Sequence, residues 1–400
     1  MSVPSSEQKN ETWWINGIFV LLAHLVAIYA FLYYPVSYKV QWLTYICWQL
    51  ATLGITMGYH RLWSHRAFKA SFPLKVMLAL MGTMGFQGSA KWWVLRHRLH
   101  HRYTDTDHDP YDAKKGLWFS HIGWIFEKPF YPRMKYIEQE DLNSDPVVVF
   151  QHKYFVPLAF ACGFGIPTLI GALWGEALGA FLYCGFIARI LIWHVTFCIN
   201  SLAHYIGDQE YSDEMTARGN LLLAIITNGE GYHNFHHEFP NDYRNGVLPH
   251  EWDPTKWLIW GSSKLGLAWD LRITPDNEII KAKILTAEKK VAEYREQVTW
   301  GPETASLKSY TPQQFNDMVQ LKKAEWIIID DIILDVRDFK ERHPGGAKLI
   351  DAQIGKDATK AFYGILNNHT LSARTYLKML AVGKIDSHEG IISGEGDKDK

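Results

Sequence analysis

The sequence predicts a mainly α-helical membrane protein in which four transmembrane helices carry a cytosolic helical cap with a site for two metal ions. A small α+β domain follows near the C-terminal end. Three observations lead to this prediction: four apolar runs with almost no charge, histidine clusters in the polar stretches that follow them, and a C-terminal stretch in which strand-like and helical patterns alternate.

Composition excludes one class of partner and gives no sign of a disulfide framework. The 41 Lys and Arg residues nearly balance the 42 Asp and Glu residues, so we expect no nucleic-acid partner. Aromatic residues make up 14% of the chain, as in proteins with aromatic belts at membrane interfaces. The cysteines lie in apolar runs without a CxxC pattern and are predicted to be buried thiols: Cys47, Cys162, Cys184 and Cys198.

The four apolar runs are near the length of about 20 residues that a helix needs to cross a bilayer. They pair into two helical hairpins, because the turns at Pro35 and at Gly175 are too short to hold a domain. The predicted spans are residues 13–34, 40–59, 155–174 and 177–199, after an N-terminal tail of residues 1–12. A shorter apolar run, Phe72–Phe86, is predicted to be an interfacial or re-entrant helix.

Four spans would place both termini and all histidine clusters on the same side of the bilayer. Lys and Arg are dense in residues 61–135 and 244–295, whereas the two hairpin turns carry only Lys39 and Glu176 as charged residues. Since positive charge concentrates on the cytosolic side, we predict a multi-pass protein with both termini and the histidines in the cytosol.

Nine histidines lie near the cytosolic ends of the predicted spans. His97, His100 and His101 stand at i, i+3 and i+4 in HRLHH, which places them on one face of a helix. The segments HRLWSH, NSLAH and HNFHH contribute the others: His60, His65, His204, His233, His236 and His237. Neutral imidazole binds Zn, Cu, Fe and Ni, and nine imidazoles exceed one coordination sphere. We therefore predict two metal ions, with Asn200 as a further contact through a water molecule.

The ligand types narrow the chemistry of this site. Structural zinc sites favour cysteine, and none of the cysteines is placed to contribute. A nitrogen-rich metal pair beside a membrane suits oxygen chemistry on a lipid, which also needs a source of electrons. Asp105, Asp107 and Asp109 either orient ligating imidazoles or build a turn. The histidines left outside the metal site include His24, His108, His121 and His194.

The C-terminal part of the chain has a different pattern. Residues 272–307 are charged, with apolar residues at helical spacing, and are predicted to be a helical linker. In residues 308–386, the strand-like segments WIIID and IILDV enclose a turn and precede HPGG, which predicts a small α+β domain. The Gly-rich, charged residues 387–400 are predicted to be a disordered tail.

These motifs resemble those of two known families. HRLWSH, HRLHH and HNFHH, with NSLAH between the last two, are similar to the histidine boxes of integral-membrane fatty acid desaturases. RYTDTDHDPYDAKKGLWFSHIGW and NGEGYHNFHHEFPNDYRNG resemble stearoyl-CoA (acyl-CoA Δ9) desaturases of the fungal form, over about residues 40–270. HPGG and NNHTLSARTYLKMLAVGKI resemble the haem-binding segments of cytochrome b5, and fusion at the C-terminus matches the fungal arrangement.

The resemblance implies an endoplasmic reticulum enzyme that inserts a cis double bond at C9–C10 of a saturated fatty acyl-CoA such as stearoyl- or palmitoyl-CoA. It implies O2 as oxidant, two iron ions held by the nine histidines and Asn200, and haem b on His343 and His369. Electrons would come from NADH-cytochrome b5 reductase. The substrate contacts that it implies are Gln87, Trp93 and Thr196 at a tunnel bend and Lys128 for CoA. Trp48 lies three turns deeper on the helix that leads to His60, and its side chain either closes the tunnel end or only packs between helices.

Two other functions fit parts of the sequence. The same histidine boxes serve lipid hydroxylases and desaturases of other acyl carriers, which the product of a feeding experiment would separate. A membrane-tethered haem electron carrier with a structural metal site would explain residues 308–386 but not the repeated histidine boxes.

Overall fold

The computed structural model describes residues 11–364 and 369–394 and divides into two compact units, Met1–Lys290 and Val291–Lys400. The first unit is almost entirely helical. Its α-helices are α1 Trp14–Tyr33, α2 Tyr38–Leu53, α3 Phe72–Met84, α4 Ala90–Tyr103, α5 Leu117–His121, α6 Glu140–Ser144, α7 Pro146–Lys153, α8 Phe155–Phe160, α9 Ile166–Ala172, α10 Ala177–Leu182, α11 Ala188–Asn200, α12 Leu221–Ile226, α13 His233–Glu238 and α14 Pro254–Lys264, and α15 Asp276–Gln297 begins in this unit and ends beyond Lys290. A two-stranded antiparallel pair joins β1 Lys69–Ala70 to β2 Ala268–Trp269.

Three helices in the described part of the chain are long and apolar enough to cross a membrane: Trp14–Tyr33, Phe155–Ala172 and Ala177–His204. The second and third of these include short π-helical segments, Ala161–Gly165 and Tyr183–Ile187. The prediction at 40–59 differs from the structure, because α2 ends after 16 residues and a π-helical segment, Gly54–Ser64, continues the chain. Four spans are therefore not confirmed.

The π-helical segment Gly54–Ser64 is the first element that positions the histidines. Every residue in it is buried, and it carries His60 and ends just before His65. It packs closely on α3, since a Cβ atom at Gly54 would lie 2.1 Å from the backbone nitrogen of Gly82. Such a close backbone approach requires glycine. Widened helical turns of this kind occur frequently at functional sites.

Helix α4 carries three of the nine histidines and is fixed to its neighbours by Arg98. The Arg98 guanidinium donates hydrogen bonds to the carbonyl groups of Trp63 (2.6 Å) and Ser64 (3.2 Å) and to the Asp141 carboxylate (2.6 and 2.9 Å). Burial acts to raise the pKa of Asp141, but hydrogen bonds from Arg98 and Arg66 lower that pKa to about 2. The arginine thus ties the segment before His65 to the helix that presents His97.

The second unit contains a six-stranded sheet with short helices. Its elements are β3 Ser309–Tyr310, α16 Pro312–Gln320, β4 Trp326–Ile329, β5 Ile332–Asp335, α17 Ala347–Asp351, β6 Lys356–Asp357, α18 Thr359–Tyr363, α19 Leu371–Leu377, β7 Ala381–Ile385 and β8 Ile392–Ser393. The strand order is β3-β7-β5-β4-β6-β8. Strands β4 and β5 form the hairpin predicted from WIIID and IILDV, with Ile328 opposite Ile333 in the core.

Two predicted boundaries differ from the structure. Within the predicted linker, residues 272–307, helix α15 covers only Asp276–Gln297. Residues 387–394 are ordered rather than disordered, because β8 pairs with β6 and His388 contacts the carboxylates of Asp331 and Asp357. Residues 1–10 of the predicted N-terminal tail and residues 395–400 of the predicted C-terminal tail lie outside the described residues.

Candidate metal centre

The first unit brings all nine predicted histidines into two adjoining groups. Within each group, the candidate ligand atoms all lie within 4.8 Å of one another. Group A consists of His60, His65, His97, His101 and His236, and group B consists of His100, His204, His233 and His237. Helices α4 and α13 each contribute to both groups, so the two groups share their scaffold.

Distances between the ring nitrogens test whether each group fits a metal ion. In group A, His236 Nε2 lies 3.0 Å from the Nε2 atoms of both His60 and His101. In group B, His233 Nε2 lies 3.2 Å from His204 Nε2 and 3.0 Å from His237 Nε2. Neighbouring nitrogens bound to one ion at about 2.1 Å would lie about 3 Å apart. The separations fit one ion in each group.

Hydrogen bonds to the second ring nitrogens support the same interpretation. His60 Nδ1 lies 2.8 Å from the Glu230 carboxylate, and His100 Nδ1 lies 2.8 Å from the Asp109 carboxylate. A carboxylate at Nδ1 fixes the proton there and leaves a lone pair on Nε2. In group A, the Nε2 lone pair of His60 therefore points at another imidazole nitrogen. A cation bound between the two nitrogen atoms would stabilise this arrangement.

The protonation state of the groups also suits a metal. Burial, reinforced by neighbouring imidazoles, lowers the pKa well below its ordinary value for most of the nine. The histidines affected are His65, His97, His101, His233, His236 and His237. Neutral imidazole is the form that binds metal ions, so these side chains are available as ligands at neutral pH.

Glu230 is a site residue that the sequence reasoning missed. Its carboxylate also accepts hydrogen bonds from Arg61 (2.8 Å) and from the Asn245 side chain (2.7 Å), and Arg61 in turn contacts Asp253 (3.0 Å). Burial acts to raise the pKa of Glu230, but Arg61 and His60 lower that pKa to about 2. The sequence does contain a signal for this residue, because NGEGYH has a carboxylate three residues before His233.

The two possible roles of the acidic run after α4 are both present in the structure. Asp109 contacts His100 directly and also accepts a hydrogen bond from the backbone N–H of Asp105. Asp105 reaches a histidine of group B only through another side chain. It accepts a hydrogen bond from Thr216 Oγ1 (2.6 Å), and that hydroxyl lies 2.8 Å from His204 Nδ1. Asp107 is exposed.

A cavity of about 470 Å³ adjoins group A through His97. Three of its lining residues are the predicted bend residues: Gln87 donates a hydrogen bond to Thr196 (2.8 Å) and accepts one from Trp93 Nε1 (3.2 Å). Asn200, the predicted water-mediated contact, also lines the cavity. The structure thus brings these four residues to one apolar chamber beside the histidines.

Two of the predicted substrate contacts do not line this cavity. Lys128 is exposed and forms an ion pair with Glu11. Trp48 packs behind the cavity wall, against clusters that include Trp193 and Ala188. Lys128 was predicted from its motif position and Trp48 from its depth on the helix before His60, and neither specifies the distance from the side chain to the cavity.

The second unit holds the two predicted haem ligands close together. The ring centres of His343 and His369 lie 6.3 Å apart, with planes inclined by 31°. Two imidazoles bound at about 2 Å on opposite sides of one iron would have ring centres about 6 Å apart. His369 Nδ1 lies 2.9 Å from the carbonyl oxygen of Phe362, which leaves Nε2 as its ligand atom. The pair fits haem iron.

Comparison with known families decides what these sites belong to. The fatty acid desaturase family matches residues 38–251, and a cytochrome b5-like haem/steroid-binding domain matches residues 311–386. The chain belongs to the fatty acid desaturase family. The predicted desaturase with a C-terminal cytochrome b5-like domain is therefore confirmed, and so is its class as an oxidoreductase. Membership implies a metal centre, and the cytochrome b5-like domain implies haem.

This desaturase is similar to curated proteins from fungi and animals. It is 41% identical over 374 residues to a "Probable acyl-CoA desaturase" of Schizosaccharomyces pombe, covering 93% of this chain and 77% of the relative. It is 42% identical over 375 residues to "Acyl-CoA desaturase 1" of Saccharomyces cerevisiae, covering 93% of this chain and 73% of the relative. It is 38% identical over 270 residues to "Stearoyl-CoA desaturase 5" of Homo sapiens, covering 66% of this chain and 82% of the relative.

Proposed function

We propose that this desaturase converts saturated fatty acyl-CoA, such as stearoyl- or palmitoyl-CoA, to the cis Δ9 product with O2 as oxidant. Electrons come from NADH-cytochrome b5 reductase through the fused haem domain. The observation that carries the proposal is the largely apolar cavity that runs past Gln87, Trp93 and Thr196 to His97 of group A. The names of the fungal and human relatives support an acyl-CoA substrate.

The geometry described above supports the following assignment of residues that would hold the cofactors. Group A would bind one iron and group B the other, Asn200 would be a further contact through water, and His343 and His369 would bind haem b. When bound, the iron pair would supply oxygen activation and the haem would supply single electrons.

The protein's own contribution to the reaction is positioning, because an unactivated methylene offers no polar group for recognition. The hydrogen bonds from Gln87 to Thr196 and from Trp93 to Gln87 fix the part of the cavity wall at which the resemblance implies a bend. The Trp93 ring stacks on His97 with a centroid separation of 4.9 Å. A chain that follows this bend is held with one carbon–carbon bond beside group A, and the aromatic walls exclude water.

Arg96 is the cation best placed to hold the anionic headgroup. It lines the cavity, is 5% exposed, and its Nε atom has no hydrogen-bond partner among the described residues. Its guanidinium lies 3.1 Å from the ring centre of Trp92. Burial lowers the pKa of Arg96, and an anionic ligand would offset that cost. The phosphate groups of CoA supply such an anion.

Replacing Arg96 with leucine is expected to raise KM for acyl-CoA roughly ten- to hundredfold, since a hydrogen bond to a charged group contributes about 1.5–3 kcal/mol. Steady-state kinetics would measure this, with metal content as a check on the neighbouring His97. The matched control is Lys91→Leu on the same helix, whose ammonium group contacts Asn143 instead. If Lys128→Leu raised KM more than Arg96→Leu, the CoA contact would be Lys128.

Replacing Trp48 with alanine is expected to lengthen the acyl chains that the enzyme accepts, because the side chain packs behind the cavity wall near Trp193. Each buried methylene contributes about 0.8 kcal/mol, so kcat/KM for a substrate longer by two carbons should rise roughly tenfold. Product analysis with a series of acyl-CoA substrates measures this. The exposed Trp42 on the same helix provides the control variant, Trp42→Ala. An unchanged chain preference in Trp48→Ala would refute a role at the tunnel end.

We assign the protein to the endoplasmic reticulum membrane, with both termini and the active site in the cytosol. The fourth span would consist of α2, Tyr38–Leu53, together with its continuation Gly54–Ser64, and residues 13–271 would form the membrane domain. The low charge of the two hairpin turns supports this orientation. Protease protection of tags placed at the two turns would test it.

Expression in cells that lack monounsaturated fatty acids tests the proposed reaction. Growth without an unsaturated supplement and a double bond at C9–C10, located by mass spectrometry, are the expected results. A hydroxylated product would assign the chain to lipid hydroxylation, and a double bond at another carbon would reject the C9–C10 position.

A further inference from the structure

Helix α12, Leu221–Ile226, has one side packed in the protein and one side exposed. Leu223 and Ala224 are buried, whereas the other four residues are large, aliphatic and exposed: Leu221, Leu222, Ile225 and Ile226. Positions i, i+1, i+4 and i+5 lie on one side of a helix. The exposed fraction of Leu222 is 64%, as high as that of Leu21 on the apolar helix α1, which is 57%. We call these four side chains the α12 face.

The sequence around α12 carries no charge. Residues 219–229, GNLLLAIITNG, contain no Asp, Glu, Lys or Arg. A contiguous aliphatic face marks an interaction site, because its exposure to water is unfavourable. With six residues, α12 is about 9 Å long and cannot cross a hydrocarbon core of about 30 Å.

Both ends of α12 are tied to the helices of the membrane domain. Before the helix, the carbonyl oxygen of Gly219 accepts a hydrogen bond from the backbone N–H of Asp208 (2.9 Å), four residues after the apolar helix Ala177–His204 ends. After the helix, the side chain of Asn228 donates a hydrogen bond to Gln49 Oε1 on α2 (2.9 Å). The α12 face therefore lies beside these two helices.

The contact with Gln49 indicates the depth of α12. Ala51, two residues after Gln49, belongs to the same packed cluster as Ile192, which lies well inside the apolar helix Ala177–His204. Ile46 and Leu50, on either side of Gln49 in the sequence, are exposed. The α12 face therefore continues the exposed apolar surface of the membrane helices.

The backbone around α12 finds hydrogen-bond partners within the protein. Asn220 Oδ1 accepts a hydrogen bond from the backbone N–H of Leu223 (3.1 Å), and Thr227 Oγ1 donates one to the carbonyl oxygen of Leu223 (2.6 Å). The backbone N–H of Gly229 donates to the carbonyl oxygen of Ala224 (2.8 Å). Backbone that enters a bilayer without crossing it requires such partners, because hydrocarbon supplies none.

We propose that α12 enters the leaflet of the bilayer on the histidine side of the protein and that the α12 face contacts phospholipid acyl chains. Lipid fits this face better than a second protein chain does, because the face adjoins no charge in sequence and continues the surface of the membrane helices. The inference goes beyond the proposed reaction and rests only on the proposed placement of α2 in a fourth span.

A membrane-embedded α12 would also fix two residues of the metal centre relative to the bilayer. A Cβ atom at Gly231 would lie 2.1 Å from the backbone nitrogen of Ala224, so this segment packs directly on α12. The carbonyl oxygen of Gly231 also accepts a hydrogen bond from the backbone N–H of Asn220 (2.9 Å). Glu230 and His233 belong to the same segment and would keep a constant height above the lipid.

Spin labels test the location of α12 in the full-length, iron- and haem-loaded protein in phosphatidylcholine vesicles. The variants Leu222→Cys and Ile225→Cys each carry one nitroxide. Power saturation compares collisions with O2, which partitions into hydrocarbon, and with a water-soluble nickel chelate. We expect collisions with O2 to exceed those with nickel severalfold at both positions. Saturation under nitrogen corrects for relaxation by iron and haem, and the wild-type protein treated with the label measures background from its own cysteines.

Two reference positions calibrate the result. Ile46→Cys, on the exposed side of α2, should show the same excess of O2 collisions. Glu288→Cys, at an exposed position of the charged helix α15, should show an excess of nickel collisions. Iron content and the haem spectrum check that each variant is folded. Labels at Leu221 and Ile226 replace any α12 variant that fails this check.

Each other outcome rejects the inference for a different reason. An excess of nickel collisions on α12, with Ile46 in lipid, would place the α12 face in water. Few collisions with either reagent would show that protein covers the face, and dipolar broadening between labels would identify that protein as a second copy. Exposure of Ile46 to nickel would overturn the proposed fourth span as well. The proposed reaction is tested separately by its product.

Discussion

Replacing His236 with alanine is expected to remove iron from the protein and to lower desaturation more than about 100-fold, since even the outer partners of metal ligands contribute 10–100-fold. His236 Nε2 lies 3.0 Å from both His60 Nε2 and His101 Nε2, so the substitution removes the nitrogen atom that is next to both of these atoms. Elemental analysis and gas chromatography of the products measure the two effects. The haem spectrum should not change, because His343 and His369 lie in the other unit.

The matched control is His250→Ala, which removes an exposed histidine from the same unit. It should retain both iron and activity. A His236→Ala protein with full iron content and full activity would show that group A is not a metal centre. Loss of iron together with loss of the folded state, detected by circular dichroism, would call for the milder variant His236→Gln.

Replacing His369 with alanine is expected to abolish haem binding and to lower NADH-driven desaturation more than about 100-fold, because one of the two histidines that would hold the haem is lost. The ring of His369 is held by Phe362, which stacks on it at 4.1 Å and accepts its Nδ1–H at 2.9 Å. Absorption spectra would show the missing haem, and iron bound to groups A and B should be retained.

A control variant and an added electron carrier show whether the lost activity of His369→Ala comes from the missing haem. His388→Ala, which changes an exposed histidine paired with Asp331 and Asp357 in the same unit, should keep the haem. Adding a separate soluble cytochrome b5 should restore part of the activity of His369→Ala. If His369→Ala kept its full NADH-driven rate, electrons would not pass through the fused domain.

The histidine boxes show how far local sequence pattern can specify a site. His97, His100 and His101 share a face because helical spacing brings i, i+3 and i+4 together, and the structure has them on α4 as predicted. The pattern did not show that they separate into different groups, with His100 in group B and the other two in group A. That division depends on which histidines from α13, from residues 60–65 and from the segment after α11 approach each side of α4.

The residues that hydrogen-bond to the histidines of groups A and B were harder to predict than the histidines themselves. Glu230 is distant from His60 in sequence and meets it only through the packing of the segment before α13 against Gly54–Ser64. Thr216 likewise reaches His204 from a loop without regular structure. Contacts of this kind have no periodicity, so a single sequence contains no rule that assigns them.

The sequence by itself determined the apolar runs, the helical presentation of the histidines and the hairpin of the C-terminal domain, because these follow from local spacing and hydrophobic pattern. Only the tertiary structure decided the two histidine groups and the position of Arg96 in the cavity wall. The physical reason is that these arrangements depend on distances between helices far apart in sequence, which packing of the whole unit fixes.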